Sequence, residues 1–307
     1  MQIDIVIVNW NAGNFLQECV DSVIRYGDSL VSKIIIVDNN STDDSTAFID
    51  SLPEVDLIQA HENLGFGKAC NLGARYSKSK FILFLNPDAR IYADTLKNVL
   101  VFMRAEENLK VGVCGVQLDD ENGEIARSSS RFPSVSGILS HSIGLSKIFP
   151  VLGSPMSDWN HSSTKVVDQV IGAFFFVRRC LFESLDGFDE QFFVYFEEVD
   201  FAFRAKRLGW SSVYYAGAKA FHFGGGSSQQ VKAQRLFYSQ RSRIQYVFKH
   251  FNSLGILLVL LGTLLIEPTV RIIVSIFNRS LSSIKEILVA YYMLYRWLFR
   301  HNFLGEK

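Results

Sequence analysis

The sequence predicts an α/β fold, a mostly parallel central sheet flanked by helices, with a separate C-terminal helical segment. Three observations predict it. Short β-branched runs alternate with stretches of helical apolar spacing, polar residues with chemical potential stand directly after the strand runs, and the composition turns aliphatic, basic and aromatic from Leu254 onward. Ile3 to Asn9 predicts a strand, Phe15 to Tyr26 a helix and Lys33 to Asp38 a second strand. A helix is predicted over Asp43 to Leu52, a strand over Asp56 to Gln59, a helix over Gly67 to Ser77 and a buried strand over Phe81 to Leu85. Alternation of this kind places helices on both faces of a parallel sheet. Ligands of such sheets bind beyond the carboxyl ends of the strands, so Asn9, Asp38 and Asn86 to Asp88 are expected to share one crevice.

From Val111 to Phe132 the pattern becomes short strands and turns. Ser134 to Asp168, with Pro150 and Pro155, is polar and irregular and is expected to form a mobile loop on the side of a second substrate. Val170 to Val177 predicts a buried strand, and Phe192 to Gly209 leads into a helix ending at Gly209. Leu254 to Ile266 is nearly all aliphatic, Glu267 and Pro268 interrupt it, and Thr269 to Phe277 is apolar again. Neither stretch reaches the roughly 20 residues of a spanning helix, so a buried hairpin or interfacial segments are expected. Arg271, Arg279, Lys285, Arg296, Arg300 and Lys307 face only Glu286 and Glu306, interleaved with Tyr, Trp and Phe, a mixture that suits an anionic membrane leaflet. The alternative is a helix pair packed on the catalytic domain or on a second subunit, as in a homo-oligomer.

The chain has 307 residues, 48% hydrophobic, with 31 Lys and Arg balancing 31 Asp and Glu. This is enough to bury one large core or two smaller ones, and the zero balance argues against a general nucleic-acid binder. Cys19, Cys70, Cys114 and Cys180 lack zinc-cage spacing and are expected as buried thiols in a reducing compartment. The opening Met-Gln-Ile-Asp has no signal-peptide pattern, so the catalytic part is expected in the cytoplasm.

Asp38 ends a strand and could accept hydrogen bonds from a nucleobase imide or a ribose; the competing reading is an N-cap cluster, which fits Ser41, Thr42 and Asp43 better. Glu62 to Lys68 precedes a helix with Gly65 and Gly67, where backbone can approach an anion, although an ordinary loop-to-helix turn looks similar. Asp88 follows a buried strand and Pro87, and is the strongest metal ligand on offer, with a plain turn aspartate as its rival. Glu197, Glu198 and Asp200 crowd a helix start, which raises at least one pKa and suits a general base, while also favouring the helix dipole. His222, before three glycines, could complete a metal site. Lys232, Arg235, Arg241, Arg243 and Lys249 form a basic run without acids, either meeting phosphates or forming a solvated face.

In order, Val6-Ile7-Val8-Asn9-Trp10-Asn11, Val37-Asp38-Asn39-Asn40-Ser41, Glu62-Asn63-Leu64-Gly65-Phe66, Phe84-Leu85-Asn86-Pro87-Asp88, Phe196-Glu197-Glu198-Val199-Asp200 and His222 resemble the motifs of family 2 inverting glycosyltransferases. Within that family the chain is similar to the bacterial rhamnosyltransferases of cell-wall, O-antigen and capsule assembly, over roughly residues 1 to 250. The resemblance implies a GT-A fold, Rossmann-like, with residues 1–110 binding the nucleotide sugar, 111–250 carrying the acceptor-binding and catalytic part, and 251–307 a membrane-associating helical segment. It implies donor contacts from Asn9, Asn11, Asp38, Asn63, Gly65, Phe66, Asn71, Asn86 and Asp88, and a divalent metal, Mg2+ or Mn2+, on Asp88 and His222. It places the catalytic base at Glu198, with Glu197 and Asp200 as substitutes because relatives often have Asp at the Glu198 position. Asn86 stands where many relatives carry the first Asp of an Asp-x-Asp motif, so the metal would lean on His222 and the donor phosphates. Arg131, Gly172, Ala173, Arg241 and Arg243 are expected on the acceptor side.

The activity so implied is inverting transfer of a hexose, best L-rhamnose from dTDP-rhamnose, to a lipid-linked glycan by an enzyme peripheral to the inner face of the cytoplasmic membrane. A sugar-phosphate nucleotidyltransferase is the rival enzyme, although Asn9-Trp10-Asn11 offers no basic glycine-rich loop for a triphosphate. A catalytically degenerate nucleotide-sugar-binding scaffold is the non-enzymatic rival, motivated by Asn86 and Glu198.

Overall fold

The computed structural model describes residues 2–224 and 232–300. The chain runs β1 (Ile3–Asn9), α1 (Asn14–Gly27), β2 (Val31–Asp38), β3 (Val55–Gln59), α2 (Phe66–Ala74), β4 (Phe81–Leu85), β5 (Ala89–Ile91), α3 (Thr95–Arg104) and β6 (Val111–Asp119). It continues through β7 (Ile125–Ala126), β8 (Ser129–Ser130), α4 (Val135–Ser142), α5 (Leu145–Ile148), β9 (Lys165–Val167), β10 (Gln169–Val170), β11 (Phe174–Arg178) and α6 (Arg179–Ser184). The last elements are α7 (Glu197–Arg207), β12 (Ser211–His222), α8 (Lys232–His250), α9 (Ser253–Leu261), α10 (Glu267–Phe277) and α11 (Leu281–Arg300).

The chain forms two compact units. The first holds the residues up to Phe132, Pro155–Phe193, and Glu197 through β12. Its main sheet has the order β3-β2-β1-β4-β11-β6-β12-β5, with β7 on β6 and β9 on β12. The expected parallel ladder is β3-β2-β1-β4, while β11 enters antiparallel between β4 and β6, so the sheet is mixed. β1 is buried along its whole length, and its side chains alternate between two cores as strand geometry requires. Ile3, Ile5 and Ile7 join Leu16, Val20 and Val23 of α1 and Leu96, Val99 and Met103 of α3. Val6 and Val8 join Ala69 and Cys70 of α2 and the aromatic group Phe175, Phe182, Phe188 and Phe201. Burial on both faces is why these strands are apolar runs without polar alternation.

Several local expectations need correction. Asp43 to Leu52 is turns ending in a 3-10 helix at Ile49–Ser51, because Asp43 accepts from the hydroxyl of Ser45 and the backbone N–H of Gly13, contacts that compete with a helix. α2 stops at Ala74, short of Ser77, because Asp4 at the base of β1 draws in Ser77, Lys78 and Ser79. Val170 to Val177 is two strands, β10 and β11, separated at residues 171–173. The segment after Ser134 is helical at first, with the Ser134 hydroxyl capping α4 by accepting from Gly137 N–H at 3.1 Å. Cys19, Cys70 and Cys114 are buried, but Cys180 is exposed.

The second unit comprises Pro133–Ser154, Val194–Phe196 and α8 through α11. Its core joins Phe237 and Ile244 of α8 to Ile287, Tyr291, Leu294 and Trp297 of α11. The expected interruption at Glu267-Pro268 is absent. α9, a π-helical turn at Gly262–Ile266 and α10 form one helix from Ser253 to Phe277, 25 residues long and apolar enough to cross a membrane by length and composition. Pro268 sits in the first turn of α10, directly after the π turn, where its missing N–H costs little. Glu267 is buried at 1% exposure, and its carboxylate accepts from Gln240, Arg243 and Arg271.

Candidate active site

The first part of the site is laced together where β1 and β2 end side by side, with Asn9 paired to Asp38 in the parallel register. Asn9 is fully buried, and its side-chain N–H groups donate to Asp38 Oδ1 at 2.8 Å, Ser45 Oγ at 2.8 Å and Ser41 Oγ at 3.0 Å. Asp38 is thus held in one orientation at 4% exposure. Asn11, in a left-handed conformation at φ 49°, accepts from Thr42 N–H at 2.7 Å and donates its own N–H to Ser41 Oγ. Here Ser41 and Thr42 tie two loops together.

Asn39 was not singled out by the sequence, and it is the link to the glycine loop. At 3% exposure it accepts from Leu64 N–H at 2.8 Å and donates to Asn63 Oδ1 at 3.0 Å and to Gly65 O. Its place directly after the strand-end Asp38 was the available signal. Asn63 in turn accepts from Gly65 N–H. Gly65 has φ 80°, and a Cβ there would lie 2.1 Å from Phe193 O, which accepts the Phe66 N–H at 2.7 Å. Gly65→Ala is therefore expected to destabilise the protein by about 2 kcal/mol or more, from backbone strain plus a clash with backbone; urea denaturation measures it, and an unchanged midpoint would contradict the contact. Phe66 lies against Gly172, whose added Cβ would be 3.4 Å from its ring. Asn71, expected on the donor side, uses its amide to hold Phe188 N–H and O and to donate to Glu190.

The turn Asn86-Pro87-Asp88 follows β4 and is anchored by Asn86 N–H donating to Ala173 O at 3.1 Å. β5 begins directly after Asp88 and pairs with the end of β12, so that His222 faces Ala89 in the register. That pairing brings His222 Nε2 within 3.3 Å of Asp88 Oδ1, with both side chains largely buried. The two residues lie 134 positions apart in sequence, and the β5–β12 ladder brings them together. Among the described residues no group of three His, Cys, Asp or Glu side chains could hold a metal, so the protein offers this oxygen-and-nitrogen pair.

The three acids at the start of α7 separate into different roles. Tyr195 and Phe196 precede it at φ 66° and 71°, two adjacent non-glycine residues in the left-handed region, each costing about 1–2 kcal/mol. Asp200 is fully buried and bonded to Arg204 at 2.6 Å, whose guanidinium also donates to Leu185 O and Gly187 O. Glu197, 4% exposed, packs on Gly67, where an added Cβ would stand 3.2 Å from Glu197 Cβ. Burial, and then the neighbouring charge of Glu198, lift the Glu197 carboxyl well above the ordinary carboxylate range. Burial raises Glu198 as well, and a hydrogen bond between the two carboxyls links their titrations. The Oε2 atoms of both are buried, and among the described residues neither has a hydrogen-bond partner.

Of the residues expected on the acceptor side, Gly172 and Ala173 adjoin Phe66 and Asn86, and Arg131 pairs with Asp158 at 2.6 Å. Arg241 and Arg243 lie on α8 in the second unit, Arg241 over the ring of Trp297 and Arg243 bonded to Glu267 at 2.5 Å. Asn9, Asp38, Asp88, His222, Glu197 and Glu198 all belong to the first unit.

The family model for Glycosyl transferase family 2 matches residues 4–179, more than half of the chain. The chain belongs to glycosyl transferase family 2. The matched span of this family 2 transferase includes Asn9, Asp38 and Asp88, while Glu198 and His222 lie beyond it. It is 27% identical over 268 residues to the N-acetylglucosaminyl-diphospho-decaprenol L-rhamnosyltransferase of Mycobacterium tuberculosis, covering 80% of this chain and 83% of that protein. It is 25% identical over 259 residues to the rhamnosyltransferase WbbL of Escherichia coli, covering 79% of this chain and 91% of WbbL. Among solved structures it resembles the mannosyltransferase PcManGT of Pyrobaculum calidifontis, in complex with GDP-Man and Mn2+, with a TM-score of 0.58 and 12% identity over 98% of this chain and 88% of that one. It also resembles S. aureus TarS 1–349 in complex with UDP, with a TM-score of 0.54 and 14% identity over 98% and 92% of the two chains. These likenesses establish the GT-A-like fold.

Proposed function

We propose that this family 2 transferase moves a hexose, L-rhamnose from dTDP-rhamnose, with inversion onto a lipid-linked glycan acceptor at the inner face of the cytoplasmic membrane. The observation that carries the reading is the buried Glu197–Glu198 pair, in the same unit as the Asp88–His222 pair and the Asn9–Asp38 lattice. Asp38, with its orientation set by Asn9, accepts hydrogen bonds from the nucleoside. Glu198 takes the proton of the acceptor hydroxyl as that oxygen bonds to the anomeric carbon, and the bond from that carbon to the diphosphate breaks on the opposite face. Glu197, carrying a proton, donates to Glu198 and holds it in place. The names of the two rhamnosyltransferase relatives support the sugar, and the mycobacterial name supports a lipid-diphosphate acceptor. The exposed apolar residues of the Ser253–Phe277 helix support a peripheral membrane contact.

Asp88 and His222 fit a divalent metal because an oxygen and a nitrogen 3.3 Å apart can share one cation, with the remaining positions filled by donor phosphates and water. When bound, such a cation supplies positive charge to the departing diphosphate. The test is a screen of dTDP, UDP and GDP sugars by thermal shift with and without Mg2+ or Mn2+, since a ligand of the native state raises the melting temperature. A metal-dependent rise with dTDP-rhamnose, lost in Asp88→Ala, is expected. A metal effect unchanged in Asp88→Ala removes Asp88 from the role, and pyrophosphate release from nucleoside triphosphate and sugar phosphate overturns the transferase reading.

A further inference from the structure

We propose that residues 143–152 of the second unit form a membrane-contact patch that sets Ile148, Phe149 and Val151 into the headgroup boundary of an anionic bilayer. The proposal rests on the membrane reading of the C-terminal helices and adds a segment from the middle of the chain, one the sequence suggested as an acceptor-side loop. Ile148 is 71% exposed, Val151 63%, Phe149 54% and Ile143 50%. So many large apolar side chains open to water within ten positions form a patch of the kind that marks an interaction surface.

The local structure explains the exposure. Gly144, at φ 78°, turns the chain out of α4, and neither α5 nor the 3-10 turn at Pro150–Leu152 buries any of its residues. α4 ties the segment to the long apolar helix. Leu139 Cδ2 lies 2.6 Å from where a Cβ of Gly262 would stand, Val135 packs on Gly255, and Ile138 joins Val247 and Val259. That helix exposes Leu254, Leu257, Leu265, Ile276 and Phe277 in turn.

Charge selects the occupant. The described residues of the second unit carry eleven Lys and Arg against two acids, Glu267 and Glu286; Arg243 and Arg271 are paired with Glu267, which leaves the other nine facing only Glu286. Lys147 is the only Lys or Arg of residues 133–154, which contain no Asp or Glu. Two copies of this unit brought face to face would set like charges together, whereas anionic headgroups neutralise them while the apolar side chains leave water.

Flotation of the full-length protein with phosphatidylcholine vesicles, with and without phosphatidylglycerol, tests the patch. Wild type is expected to float with the anionic vesicles, and Ile148→Ser/Phe149→Ser/Val151→Ser to partition roughly tenfold less or weaker, by the loss of apolar area. The three side chains are more than half exposed, so the variant keeps the fold, with an unchanged melting temperature as the check. Equal flotation of this variant and wild type, beside loss in Phe277→Ser/Leu281→Ser, overturns the patch and leaves the C-terminal reading standing. No flotation of wild type overturns both. A wild-type dimer in lipid-free buffer that the triple substitution dissociates overturns the bilayer in favour of a second copy.

Discussion

Glu198→Gln is expected to lower kcat by roughly 10²–10⁴-fold while leaving donor affinity intact, the range for removing a positioned general base. The amide keeps the size of the side chain and cannot take a proton. Because burial raises the Glu198 carboxyl, the wild-type rate should fall with acidification at a pH above the ordinary glutamate value, where the base becomes protonated. Glu197→Gln is the informative partner. Its amide can still donate to Glu198, so turnover should persist, and the acid limb of the pH profile should move because the two carboxyls no longer titrate together. Steady-state kinetics of both variants across pH would check this. Near-normal turnover of Glu198→Gln beside a dead Glu197→Gln would exchange the two roles.

Glu267→Ala is expected to destabilise the protein by about 3–5 kcal/mol, the cost of leaving buried charges without a partner. Glu267 is the shared acceptor of Gln240, Arg243 and Arg271, and its removal leaves two guanidinium groups facing each other beside the apolar helix. Burial alone would raise its carboxyl, but the charges and hydrogen bonds of Arg243 and Arg271 outweigh that and hold it at about 2, below the ordinary 4.5. A depressed folded pKa contributes stability that is complete above the unfolded value and is lost as pH falls through the folded one. Wild type should therefore lose about 3 kcal/mol between pH ~4.5 and ~2 from this group, and Glu267→Ala should lack that component. Urea denaturation at a series of pH values measures both. Recovery in an Arg243→Met/Glu267→Leu double variant would locate the cost in the unpaired charge, while a Glu267→Ala midpoint equal to wild type would contradict the ion-pair assignment.

Three residues of the candidate site were readable because each stands at the end of an apolar run. Asn9 and Asp38 end β1 and β2, Asn86 follows β4, and parallel pairing of neighbouring strands leaves these ends side by side. Asp43 to Leu52 misled because helical spacing was present while side-chain bonds at Asp43 and Ser45 competed with the backbone ladder. The interruption at Glu267-Pro268 misled for a related reason: a proline is costly inside a helix, and a charge is costly in an apolar one, unless the structure supplies a π turn and partners for the carboxylate. Those partners come from α8, more than twenty residues away.

By itself the sequence determined the alternation of strands and helices, the strand-end placement of Asp38 and Asp88, and the acidic start of α7, because these follow from periodicity and neighbours along the chain. Tertiary structure decided the rest. It set His222 beside Asp88 through the β5–β12 ladder and buried Glu197 and Glu198 so that both carboxyls are raised. It also gathered residues 133–154 and α8 to α11 into a strongly basic unit inside a chain of zero net charge. The physical reason is common to all three: burial, pairing and local charge depend on which distant segments pack together, and composition sums over the whole chain what packing separates.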